Sequence, residues 1–98
     1  MDDLISAIAT AVGAGGIAVV RMSGRGALSV ARKMFSRKGE FLPNYMYAGE
    51  IDAGTFRDYG MCVYFRAPKS FTGEDVVEFH CHGGTEIARG ILKSALEL

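Results

Sequence analysis

Apolar residues recur at helical spacing in only two stretches of this chain, residues 27–35 and 87–96, and that limits what it can build. Every other apolar run is short and closed by glycine, proline or aspartate, as strands and their turns are. Such runs lie at residues 4–10, 17–22, 45–51, 59–65 and 76–82, the later ones rich in aromatic and β-branched residues. The element order is therefore strand, strand, helix, strand, strand, strand, helix. A sheet face must be buried by something, so the economical architecture is an α+β fold, a mixed five-stranded β-sheet with two covering helices. Ninety-eight residues support one core, which makes residues 1–98 a single domain.

The first helix carries Ala27, Leu28, Ala31, Met34 and Phe35 on one face, with Ser23 placed to cap its start, Arg32 and Lys33 near its end and Gly39 just beyond. The second carries Ile87, Ala88, Ile91, Leu92, Ala95 and Leu96, with Gly84 or Thr85 as its cap and Glu86 in its first turn. It runs to the last residue without a stop signal, as expected where a larger protein continues.

A hydrophobic content of 49 % against 22 % charged residues argues for a folded chain rather than a disordered one. Eleven basic residues balance eleven acidic ones, so the basic excess of a domain that grips nucleic acid by its phosphates is missing, and direct RNA binding by this segment alone is not favoured. The apolar runs fall short of the roughly 20 residues that span a bilayer, and Met1-Asp2-Asp3 is acidic where a secretory signal is basic. The expectation is a cytoplasmic protein without membrane contact. In that reducing compartment Cys62 and Cys81 are expected as small buried hydrophobes, not a disulfide.

Gly13, Gly15 and Ala18 formally match a dinucleotide-binding glycine pattern, but that pattern works when its glycines open a helix, and Ile17, Val19 and Val20 favour a strand. A glycine loop that lets a ligand or a second subunit approach the backbone fits better. No G-x-x-x-x-G-K-[ST] phosphate loop occurs, so this segment alone is not expected to hydrolyse GTP.

Side chains alternate across a strand, so Val76, Glu78, His80 and His82 share one face and Val77, Phe79 and Cys81 the other. Two imidazoles two residues apart resemble a metal pair, yet zinc takes three or four ligands and only Cys62 or a carboxylate is left to add; ordinary hydrogen bonding at a strand end is the simpler account. A nucleophilic Cys81 paired with a histidine meets the same obstacle of opposite faces. Glu78 within an apolar strand, and Arg21 on a face with Ile17 and Val19, are charges that packing alone would not select. Either they pair with each other or reach the sheet rim, or they serve a ligand with a flat polar edge, to which a carboxylate accepts two parallel hydrogen bonds. Ser70-Phe-Thr-Gly-Glu-Asp75 is a turn, with Thr72 and Asp75 bonding nearby backbone and Gly73 supplying a positive φ.

Together, Ala7-Ile-Ala-Thr10, Gly13, Gly15-Gly16-Ile17, Val20-Arg21-Met22-Ser23-Gly24, Pro68, Ser70-Phe71-Thr72-Gly73-Glu74-Asp75-Val76, Glu78 and His82-Gly83-Gly84 resemble the N-terminal domain of the MnmE/TrmE family of tRNA-modification GTPases. The resemblance covers nearly the whole chain. It implies a fold like the tetrahydrofolate-binding domains of one-carbon transfer enzymes, homodimerisation, and binding of a reduced folate, 5-formyl- or 5,10-methylene-tetrahydrofolate, as one-carbon donor. It also implies a place in a protein that hydrolyses GTP and, with a flavin-dependent MnmG/GidA-type partner, installs a carboxymethylaminomethyl-type group on the wobble uridine of tRNA. By the same resemblance Arg21 and Glu78 are folate contacts, His82 joins them, and Gly15, Gly16, Gly83 and Gly84 shape the site; no catalytic residue and no metal ligand is assigned to this segment. The GTPase domain, with GTP, Mg and K, and the helical domain with its catalytic cysteine are expected beyond residue 98. The chain departs from the family at Ala11, Val12, Ala14 and Ala18, where proline, a charged residue and glycine are usual, and a softer loop is expected there.

Overall fold

The computed structural model describes residues 4–8, 16–70, 72–83 and 85–97. Its elements follow the expected order: β1 (Ile5–Ile8), β2 (Ile17–Ser23), α1 (Ala27–Met34), β3 (Met46–Asp52), β4 (Arg57–Phe65), β5 (Val76–His82) and α2 (Thr85–Leu96). The strands form one sheet in the order β1-β2-β5-β4-β3. All four pairings are antiparallel, so the sheet is not the mixed one expected. A parallel pair needs a crossover between neighbours. The helical crossover here joins β2 to β3, which lie apart in the sheet, while β5 inserts between β2 and β4.

Both helices cover the same face. Val20 and Met22 of β2, Val77, Phe79 and Cys81 of β5 and Cys62 and Tyr64 of β4 meet Ala27, Val30, Ala31 and Met34 of α1 and Ala88, Ile91 and Ala95 of α2 in one core. Phe79, Met22, Ile91 and Val77 are fully buried, each such side chain contributing about 1.5–3 kcal/mol. Leu96, placed on the apolar stripe of α2 by its spacing, is 63 % exposed at the helix end.

Helix α1 differs from expectation at both ends. Its N-cap is Gly26, at φ 101° and without a side-chain cap, not Ser23. Gly24 and Gly26 both hold positive φ in the turn out of β2, so the helix starts only after them, and Ser23 stays in the strand with its hydroxyl 2.7 Å from that of Thr72. It ends at Met34, before Gly39: Phe35 turns extended, bridges to Ile51 and places its ring 6.1 Å from that of Phe79. Core burial of that ring outweighs continuation of the helix. Strand β4 begins at Arg57, two residues earlier than its apolar pattern indicates, because Asp52↔Arg57 and Ile51↔Asp58 continue the ladder with β3. The 66–75 connection is organised as its residues indicate: Gly73 sits at φ 79°, Thr72 accepts from the Glu74 amide, and Asp75 accepts from the Ala67 amide at 2.9 Å.

One glycine is demanded by the sheet itself. A Cβ on Gly60 would lie 2.3 Å from the main-chain oxygen of His80, a rigid atom of the central strand. Gly60→Ala is therefore expected to destabilise the protein by about 2–3 kcal/mol, as measured by urea unfolding. A loss under about 0.5 kcal/mol, the range of an ordinary surface change, would show that β4 and β5 can separate without cost there.

Candidate functional site on the uncovered sheet face

No helix among the described residues covers the other face, which carries Val19 and Arg21 of β2, Glu78, His80 and His82 of β5 and Tyr59, Met61 and Val63 of β4. The face assignment drawn from alternation holds: Val77, Phe79 and Cys81 enter the helix-side core, and Glu78, His80 and His82 do not.

Arg21 lies directly across from Glu78 in the β2–β5 register. Its Nε and a terminal guanidinium nitrogen donate to Glu78 Oε2 at 2.8 and 2.7 Å. The mutual pairing that the sequence offers as one alternative is present. His80 Nε2 lies 3.0 Å from Glu78 Oε1, and because an ionised carboxylate only accepts, the neutral imidazole must carry its proton on Nε2. Glu78 thus accepts three hydrogen bonds, leaving room for about one more on a carboxylate with about four lone-pair sites. Its side chain is 8 % exposed and that of Arg21 is 35 %.

His82, at the strand end, is held by a residue that the sequence does not single out. Asp58 accepts the His82 main-chain N–H at 2.9 Å and faces its ring Nδ1 at 2.7 Å. The β4–β5 ladder stops at Met61↔His80, so beyond it the Asp58 carboxylate replaces the strand carbonyl as acceptor. The only signal in the sequence is a carboxylate at the start of an apolar run, which reads as a turn residue. Beside these groups a groove of about 380 Å³ is lined by Gly16, Ile17, Met46, Tyr59, Gly60, Met61, His80, Cys81 and His82. The Gly83 amide donates to the Gly16 carbonyl at 3.0 Å, bringing two of the four site glycines together. Gly15 and Gly84, like Gly13 and the substituted positions Ala11, Val12 and Ala14, lie outside the described residues.

Cys62 and Cys81 are free, buried, and on the helix side of the sheet, away from the histidines. Among the described residues no group of three or more His, Cys, Asp or Glu is placed to hold a metal ion. Burial raises the Cys62 thiol to about 12, and burial followed by the nearby Asp58 charge raises Cys81 to about 11, so neither is a thiolate at neutral pH. No helix is long and apolar enough to cross a membrane.

The class is an α+β domain: an antiparallel sheet with both helices on one face and a charged cluster on the other, uncovered one. Residues 4–98 match the family described as GTP-binding protein TrmE N-terminus, and the chain belongs to that family. It is 43 % identical over 99 residues to the tRNA modification GTPase MnmE of Helicobacter pylori (strain Shi470), an alignment covering 100 % of this chain and 22 % of that protein. It is 48 % identical to the MnmE of a Nitratiruptor species, over 98 % of this chain and 22 % of that one. The Aquifex aeolicus (strain VF5) MnmE is 44 % identical over 100 % of this chain and 21 % of its own length. The chain thus spans about a fifth of these curated relatives.

Two outcomes are expected from this geometry. Because the thiols ionise at higher pH folded than unfolded, their stabilising contribution is complete below about pH 9 and is lost as pH rises toward 11 and 12; urea midpoints of the wild type should fall over that window more than those of Cys62→Ala/Cys81→Ala. In a double-mutant cycle, Arg21→Met and Glu78→Gln should show a coupling of about 1 kcal/mol, discounted for the exposure of Arg21.

Proposed function

We propose that this chain is the folate-binding, dimerising N-terminal domain of a tRNA-modification GTPase, with a reduced folate seated on the uncovered sheet face. The Arg21–Glu78–His80 cluster carries this reading. A partly buried ion pair bears a desolvation cost that apolar residues of similar size avoid, and here it stands among the apolar residues Val19, Val20, Met22, Val77 and Phe79 of the two strands. The amino-amide edge of a pterin offers donors to Glu78 and a carbonyl oxygen to Arg21. Since Glu78 already accepts three hydrogen bonds, one pterin donor can join the cluster as it stands, and a second must displace Arg21 or His80. Arg21, with a 35 % exposed side chain, is the more accessible partner.

Ile17, Met46 and Tyr59, exposed by 67, 47 and 63 %, lie on the same face and support its use as the surface that meets a second copy. In the larger protein, the domain serves cytoplasmic modification of the tRNA wobble uridine alongside an MnmG/GidA-type flavoprotein, with GTP, Mg and K bound outside this segment. Its relatives are tRNA modification GTPases, which supports that setting. A second reading, a dimerisation module without ligand, is favoured by the internal closure of the Glu78 hydrogen bonds.

Calorimetric titration with 5-formyltetrahydrofolate separates the two. Saturable binding is expected, weakened about ten- to a hundred-fold in Glu78→Ala by loss of charge-assisted hydrogen bonds. A folded, concentration-dependent dimer that gives no heat would instead establish the ligand-free module.

A further inference from the structure

His82, which lines the groove, forms with Asp58 a second carboxylate–imidazole pair that the Arg21–Glu78 cluster does not use. Asp58 has an 11 % exposed side chain and spends both oxygens on one residue, Oδ2 on the His82 main-chain N–H and Oδ1 on the ring Nδ1. A strand end needs only the first of these contacts. The second acts on the ring: an ionised carboxylate only accepts, so Nδ1 carries the proton, and in the neutral imidazole Nε2 is left with its lone pair. Nothing among the described residues bonds that nitrogen, and the His82 side chain is 65 % exposed where it lines the groove. His80 is held in the opposite tautomer by Glu78, so the two imidazoles of one strand face are polarised in opposite senses.

We propose that Asp58 is a positioning residue that makes His82 Nε2 a hydrogen-bond acceptor for the amide N–H of the benzoylglutamate part of the folate, a subsite that rests on the folate reading above. His82 lies four residues beyond Glu78, about 13 Å along a strand, a span longer than a bicyclic pterin and of the order of a pterin joined to an aminobenzoyl group. His80, two residues from each, lines the groove together with His82, and the groove walls Ile17, Tyr59 and Met61 are apolar, as an aminobenzoyl ring requires. A pterin held at Glu78 therefore directs the rest of the molecule past His80 toward His82.

The test combines a spectrum with a titration. Imidazole ¹⁵N shifts of the ligand-free protein near neutral pH should show His82 protonated at Nδ1 and not at Nε2; Asp58→Asn, which keeps an acceptor for the main-chain N–H, should lose that preference. Asp58→Asn and His82→Gln should each weaken 5-formyltetrahydrofolate binding about ten-fold, the scale of one hydrogen bond, while leaving unchanged the binding of a 5-formyltetrahydropterin that lacks the benzoylglutamate. Equal weakening for both ligands, no weakening for either, or an Nε2–H His82 in the wild type overturns the subsite. A wild-type protein that binds neither ligand overturns the folate reading and the ligand assigned here with it; wild-type binding of both that only Glu78→Ala disturbs overturns this subsite alone.

Discussion

The antiparallel pairing of β2 with β5 holds the rest of the structure in place. It runs over seven residues, from Ile17↔His82 to Ser23↔Val76, at the centre of the sheet, with β1 added to one side and β4 to the other. A slip of one residue would turn every side chain of one strand to the wrong face. Val77 and Phe79 would leave the core, and burial of two such side chains, worth several times RT, excludes the slip. Arg21 and Glu78 inherit their juxtaposition from that register. The apolar contacts on one face thus aim the charges on the other.

This division explains where chemistry can occur in so small a molecule. Both helices, both thiols and nearly all the aromatic core lie on one side of the sheet. The charged and imidazole groups lie on the other, where no helix among the described residues excludes water or a ligand from them. Glu78 is the exception in depth: nearly buried, it has its charge matched by the guanidinium across the strand pair and its second oxygen bonded by the imidazole two residues on. The cluster is consequently closed by its own hydrogen bonds at Glu78 and open along the groove beside it.

Where regular pairing runs out, side chains replace backbone partners. Asp58 takes the His82 amide beyond the last β4–β5 pair, and Asp75 takes the Ala67 amide in the connection before β5. Both acceptors are aspartates close to a glycine, Gly60 for one and Gly73 for the other, a setting that in sequence indicates only a turn. Gly60 itself stands where the two strands approach too closely for a Cβ.

Much of this was legible in one dimension. The alternation along residues 76–82 determined which side chains share a face, because the period of a strand is a local property; the stripes of residues 27–35 and 87–96 determined two helices for the same reason. Arg21 and Glu78 stood out as charges in apolar strands before any partner was known. What the tertiary structure alone decided is who meets whom. The wholly antiparallel sheet, the early end of α1 at Phe35, the pairing of Arg21 with Glu78 across 57 residues and that of Asp58 with His82 across 24 all depend on contacts that no local period encodes. Local spacing sets the direction of a side chain, and only the packing of distant segments supplies the atom at its end.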